Sequence, residues 1–224
     1  MVNCAVSLQF LVEFCRTVPE DMPTWKVVTD VIVPATRDRQ CRYVEVIEPR
    51  HVGPCDYFIS HRWATPFSHL VRYVRKHLVE LGDVVEEGGA SDTSGGGGSA
   101  AAAATAAGVV LTKAKSTGKG KSSAADEDEE AGPTRRADKV FVWCDIFAIN
   151  QHPGQVQADD LAQLKDCVEA SNQTLLCLDD KGLVLTRIWC LYEIWNTILA
   201  GGPPKLAVLG YDVNQDAFKV QNNG

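Results

Sequence analysis

CDYFISHRWATPF, residues 55–67, is the stretch whose reading decides the fold. CDYFISH is a short apolar run of the kind buried on both faces of a parallel sheet. In the RWATPF that follows, Thr65 has the side chain of a helix N-cap and Pro66 suits the first helical position. Phe67, Leu70, Val71, Val74, Leu78 and Leu81 then recur at helical spacing, which predicts an amphipathic helix over 66–81. Ser60, His61, Arg62 and Trp63 therefore occupy a strand-to-helix turn. In open α/β sheets such turns lie at the carboxyl ends of the strands, where ligands bind.

The same alternation continues towards the C-terminus. KVFVWCDIF (139–147) reads as a strand with Asp145 at its end, and AINQHPGQVQ as a loop. Asp159 or Asp160 is placed to cap a helix carrying Leu161, Leu164 and Val168. QTLLCLDD (173–180) is a third buried strand, RIWCLYEIWNTIL (187–199) a helix stopped by Gly201–Pro204, and KLAVLGY (205–211) a fourth strand. Strand and helix in turn predict an α/β fold, a flavodoxin-like parallel sheet flanked by helices, over 55–211. Residues 83–138 interrupt it with a Gly/Ala-rich run, dotted lysines and an acidic block. That composition buries too little to order itself, so a disordered insertion is expected. Its Gly-rich run follows no strand, and no G-K-[ST] follows it at Walker spacing, so it is not a phosphate loop.

Residues 1–54 are less legible. A helix is expected over 6–15, a strand over the β-branched 25–33 and another over 41–47, together forming an accessory cap. Residues 212–224 read as a short polar tail.

In the 187–199 helix, Ile188, Leu191, Tyr192, Trp195, Ile198 and Leu199 share one stripe, expected to face the core. Glu193 lies off it, on a flank with Trp189 and Asn196. That flank is either a solvated face or a binding surface.

Composition narrows the partners. A formal net charge of −7 argues against nucleic acid and gives no reason to expect an anionic membrane surface. No apolar run approaches the ~20 residues that span a bilayer. The stretch before Cys15 lacks the basic start and cleavage pattern of a signal peptide. None of the eight cysteines forms a C-x-x-C pair, so no metal-ligand cluster is read, and the cytoplasm is the expected compartment.

With these elements placed, the chain resembles the TIR-like domain superfamily, including its HET-like relatives. YFISHRW is similar to the first strand and turn, "vFlSfrg" in TIR domains and "aLSyrWG" in HET domains. VWCDIFAINQ is similar to the HET pattern "lWiDaicINQ". CVEASNQTLLCL resembles the TIR "aI-x-x-S" and the strand after it. RIWCLYE resembles the TIR "S-x-W-C-x-x-E" and the HET "R-x-W-x-x-x-E". The likeness covers about 55–211 without the insertion, which is itself a departure from the family pattern. A second departure is that the chain stops near where the resemblance implies a fifth strand and last helix, so either the N-terminal segment replaces them or the chain is a fragment.

The resemblance implies an NAD nucleosidase (NAD hydrolase or related ADP-ribosyl activity) in signalling or defence, with Glu193 catalytic. NAD or a related nucleotide is then substrate, and no prosthetic group is needed. Nicotinamide leaves a cationic substrate as a neutral base, so one carboxylate that stabilises the oxocarbenium-like ribosyl centre suffices. Trp63 and Trp189 are candidates to stack on a substrate ring, Ser60 and Arg62 to contact ribose or phosphate, and Asp145 to hydrogen-bond the substrate. For Trp189 packing, for Asp145 loop capping, and for His61 an orienting role are the competing readings. The resemblance equally implies homo-oligomerisation through TIR-like contacts, and its alternative is a non-catalytic self-association module. A generic flavodoxin-like nucleotide domain is a third reading, weakened by the absence of a Gly-rich first turn.

Overall fold

The computed structural model describes residues 1–84, 135–212 and 217–220. Apart from its ends, the disordered insertion expected over 83–138 lies outside the described residues. In chain order, β1 (Ala5–Ser7) runs into α1 (Leu8–Cys15). α2 (Thr24–Val27), a π turn (Val28–Ile32) and α3 (Val33–Thr36) follow one another without a break. Then come β2 (Val52–Gly53), β3 (Tyr57–Ser60), α4 (Phe67–Glu80), β4 (Phe141–Trp143) and α5 (Asp145–Ala148). α6 (Gln155–Ala162), α7 (Leu164–Ala170), β5 (Gln173–Cys177), α8 (Ile188–Gly201), β6 (Leu206–Asp212) and β7 (Ala217–Val220) complete the chain.

The seven strands among the described residues form one sheet, in the order β2-β1-β4-β3-β5-β6-β7. β4, β3, β5 and β6 are parallel, as their alternation with helices requires. The edges are antiparallel: β1 and β2 beyond β4, and β7 beyond β6. The protein is thus α/β with a mixed sheet, rather than wholly parallel. The segment 1–54, expected as a cap, supplies two strands of that sheet, and the segment expected to be a polar tail supplies β7. No helix among the described residues is long and apolar enough to cross a membrane.

Strand alternation divides the interior. Tyr57 and Ile59 of β3, Val142 of β4 and Leu175 of β5 join α1 and α4 in the main apolar core. Phe58 and Trp143 point the other way, stack at 4.6 Å between ring centroids and meet α7. Leu176 faces α8 on that same side.

Three local expectations fail for identifiable reasons. The segment 25–33 is helical: its buried residues Thr24, Val27, Val28 and Ile32 fall at helical spacing, and that period outweighs a β-branched composition. The strand expected over 41–47 is a 3-10 turn at Tyr43–Glu45. Thr65 does not cap α4, whose N-cap is Pro66 with no side-chain hydrogen bond. Its carbonyl instead accepts from the Thr24 amide at 3.1 Å, while Trp25 N donates to Trp63 O at 3.0 Å. The N-terminal segment thereby clamps the turn after β3.

Asp160 is not a cap either, because α6 starts five residues earlier, after Gly154. It is fully buried and accepts a forked pair of hydrogen bonds from Nε and Nη2 of Arg42, plus one from the Asn150 amide at 2.9 Å. Asn150 in turn donates to Gln40 O at 2.7 Å and accepts from the His152 amide. This node pins the loop after β4 to the N-terminal segment. Arg42→Met removes the partner of a buried carboxylate, and about 3 kcal/mol of stability should be lost. Urea denaturation of the full chain measures it; a loss below about 0.5 kcal/mol, the scale of an ordinary surface change, would show that the node carries no stability.

Candidate functional site

The turns after β3 and β4 and the first turns of α8 enclose a cleft of about 180 Å³. β3 delivers His61 and Trp63, β4 delivers Asp145, and α8 delivers Arg187, Trp189 and Glu193. Glu193 is 8% exposed and accepts a hydrogen bond from Ser60 Oγ at 2.5 Å. Trp63 Nε1 donates to Asp145 Oδ2 at 2.7 Å, which locks the indole against the carboxylate. Arg187 Nη1 donates to His61 O at 2.8 Å and holds the start of α8 against the β3 turn. Gln151 bonds two carbonyls of its own loop, those of Asp145 and Ile149.

The helix carrying Glu193 is turned opposite to its expected orientation. Ile188, Leu191, Tyr192, Trp195, Ile198 and Leu199, the stripe expected in the core, are all exposed, Ile188 by 73% and Trp195 by 64%. The buried face carries Cys190, Glu193, Asn196 and Thr197. Amphipathicity establishes that a helix has two faces; here hydrogen bonding decides which one meets the sheet. Ser60 of β3 and Thr174 of β5 are fully buried polar residues on the α8 side, and Glu193 and Thr197 satisfy them, the latter pair at 2.8 Å. Apolar residues in their place would leave those hydroxyls unpaired, at a cost of about 1–3 kcal/mol each.

Of the residues singled out from the sequence, Trp63, Asp145, Trp189 and Glu193 line the one cleft. Ser60 does not line it; it is fully buried and reaches the site through Glu193 and Cys190. Arg62 is not brought there either, and faces a separate surface depression beside Tyr73 and Asp179. The cation of the cleft is Arg187, which the sequence reading passed over. Its place at the N-terminus of α8, six residues before Glu193, was the available signal.

The electrostatics follow from burial. Desolvation pushes the Glu193 carboxyl up to about 8 from its ordinary 4.5; the Ser60 hydrogen bond opposes this, the Asp145 charge adds to it and Arg187 opposes it again. Burial also lowers the pKa of His61, with Asp145 opposing and Arg187 reinforcing, so the imidazole is neutral near pH 7. Near neutrality the apo cleft therefore holds a protonated Glu193.

The raised value of Glu193 has a stability consequence. The folded state holds its proton more tightly than the unfolded chain, so the stabilisation is complete below 4.5 and is lost as pH rises through about 8. The melting temperature of the wild type should fall further across that window than that of Glu193→Gln, whose amide does not titrate. Parallel pH profiles for the two proteins would disprove a buried, protonated Glu193.

Compared with known protein families, curated proteins and solved structures, the chain matches none.

Proposed function

We propose that the chain cleaves the nicotinamide–ribose bond of NAD as a TIR-like NAD nucleosidase, with Glu193 as its catalytic carboxylate. The observation that carries this reading is the convergence of Glu193, two indoles and Asp145 in one cleft at the carboxyl ends of parallel strands. The order of those strands supports it: numbered among themselves along the chain, the parallel strands β3, β4, β5 and β6 lie 2-1-3-4, the flavodoxin-like sequence.

The chemistry suits the site. A nicotinamide ring has aromatic faces in Trp63 and Trp189 to stack on. Its positive charge enters beside Asp145 and favours ionisation of Glu193, whose proton passes to solvent. The carboxylate then faces the ribosyl carbon as the C–N bond breaks and the bonding pair leaves with neutral nicotinamide. Water attacks the same carbon and releases a proton to solvent, which gives ADP-ribose. Ser60 positions Glu193 rather than touching substrate. At about 180 Å³ the cleft is below the ~300 Å³ at which ligand pockets begin, so it takes the nicotinamide end and leaves the adenosine half outside.

Incubation of the full chain with NAD should release nicotinamide, and Glu193→Gln should lower the rate about 10²–10³-fold, the scale of losing one preorganised stabilising group. Because only ionised Glu193 acts, kcat/KM should rise with pH towards a plateau with an apparent pKa near 8. Ser60→Ala should move that limb to higher pH, since it removes a bond that favours the carboxylate. Equal nicotinamide release by wild type and Glu193→Gln defeats the enzyme reading.

A second reading, self-association, has its own observation in the outer face of α8. Ile188, Leu191, Tyr192, Trp195, Ile198 and Leu199 are 36–73% exposed, and no charged side chain interrupts them. Side chains of this size leave several hundred Å² of apolar surface, on the scale of the ~800 Å² each partner buries in a standard interface. An uncharged patch can meet its own copy about a two-fold axis without like-charge repulsion, so the occupant we assign is a second copy of this chain. Sedimentation of the full chain should show a concentration-dependent dimer that Trp195→Glu shifts to monomer. A wild type that stays monomeric up to about 100 μM, well above an ordinary micromolar affinity, rules this reading out.

A further inference from the structure

Three potential metal-ligating atoms from two segments far apart in sequence meet beside the cleft, which His61 and Asp145 line and behind which Cys144 is buried. A ring nitrogen of His61, Cys144 Sγ and an Asp145 carboxylate oxygen all lie within 4.8 Å of one another. Asp145 Oδ1 is 3.8 Å from His61 Nε2 and 3.8 Å from Cys144 Sγ. The cluster is buried: His61 is 5% and Cys144 1% exposed, and the Asp145 side chain 23%.

An independent observation points to a ligand. His61 Nε2 is one of the few buried side-chain nitrogens among the described residues that lack any hydrogen-bond partner. Leaving such an atom unpaired costs about 1–3 kcal/mol. Its lone pair or proton faces the Asp145 carboxylate beyond hydrogen-bonding range, on the wall of an open cleft. Asp145 is already prepared for a second partner. Trp63 holds its Oδ2, which leaves Oδ1 directed at His61 and Cys144. A hydrogen bond that orients a ligating carboxylate in this way is the usual support behind a metal ligand.

We propose that His61, Cys144 and Asp145 form a three-ligand site for a zinc-class divalent cation, with its fourth coordination position open to the cleft. The donor set of imidazole, thiolate and carboxylate suits zinc among the common cations, since calcium and magnesium take oxygen donors. Bond lengths of about 2.0–2.3 Å in a tetrahedron separate neighbouring donors by roughly 3.3–3.7 Å, so the two 3.8 Å spacings to Asp145 need a contraction of only tenths of an ångström, and the His61–Cys144 spacing, within 4.8 Å, one of up to about 1 Å. On binding, the Cys144 thiol gives its proton to solvent, and the thiolate and carboxylate together balance the cation's charge. The metal occupies the gap now spanned by the long thiol–carboxylate contact and gives His61 Nε2 its missing partner. This inference shares Asp145 with the NAD reading, and a bound dication would take that carboxylate from the cationic ring; the metal titration is run without NAD, so its failure leaves that reading untouched.

The test uses the full chain freed of metal by a chelator, in a Cys4→Ser/Cys15→Ser background that removes the two half-exposed thiols. Titration with Co²⁺, a spectroscopic surrogate for zinc, should saturate at one equivalent with a thiolate-to-cobalt charge-transfer band and visible bands of tetrahedral intensity. Zn²⁺ should displace it. Cys144→Ala and the near-isosteric Cys144→Ser should both lose the charge-transfer band, and Asp145→Asn should weaken binding at least tenfold. Trp63→Phe, which frees the carboxylate to turn, should weaken it by about tenfold while keeping the band. Should the Cys144 variants fail to fold by circular dichroism, X-ray absorption of the zinc-loaded wild type decides, with one sulfur near 2.3 Å and nitrogen or oxygen near 2.0–2.2 Å expected. No stoichiometric Co²⁺ binding, a band that survives in folded Cys144 variants, or a zinc shell without sulfur overturns the proposal.

Discussion

The hydrogen bond from Ser60 to Glu193 is the contact on which the arrangement of this protein turns. It joins the last residue of β3 to the middle of α8, and with the Thr174–Thr197 pair it forms a polar seam between the sheet and that helix. Cys190 and Arg187 extend the seam towards the cleft by bonding to His61 O. Because the seam is polar, the apolar side of α8 is left facing outward. Because it is buried, Glu193 carries a raised pKa. One choice of residue types at β3 and β5 thus produces both the unusual carboxyl and the unpartnered helix face.

The parts of the fold legible in the sequence were those with a strong single period. β3, β4, β5, β6, α4 and α8 are all within a few residues of where apolar runs and helical spacing put them. What escaped was non-local. β1 and β2 are three and two residues long, too short to show alternation, and they exist because β4 offers an edge to pair with. β7 likewise depends on β6. The helical turns over 24–36 were masked by valines and isoleucine, whose β preference is weaker than the packing that overrides it. Asp160 looked like a cap because a carboxylate near a helix start usually is one, whereas its partner Arg42 lies 118 residues away.

The candidate site was legible in a different way. Ser60, Trp63, Asp145, Trp189 and Glu193 were singled out by family-like motifs, and the fold brings all of them to the carboxyl ends of β3 and β4 or to α8. Their division of labour was not readable. Whether Ser60 meets a substrate or meets Glu193 depends on which side of β3 it points to, and therefore on which face of α8 packs there. Arg62 and Arg187 exchange the expected role for the same reason: the residue after His61 points away from the cleft, while the N-cap of α8 points over it. The His61–Cys144–Asp145 grouping has no sequence spacing to betray it, since it forms only when parallel pairing sets the ends of β3 and β4 side by side.

The two unusual properties of α8 are physically linked through Trp189. This indole is 47% exposed, lines the cleft and stands at 6.4 Å, edge-on, from Tyr192 at the border of the outer apolar face. A second copy covering that face would also cover the open side of Trp189 and remove water from the mouth of the cleft. Lower local polarity favours the neutral form of Glu193 when the cleft lacks substrate, and strengthens its attraction for a cationic ring once one enters. Assembly of that kind would therefore couple to charge at the site through a shared aromatic wall. A dimeric chain would discriminate more sharply between an empty cleft and one holding a cation than the monomer does.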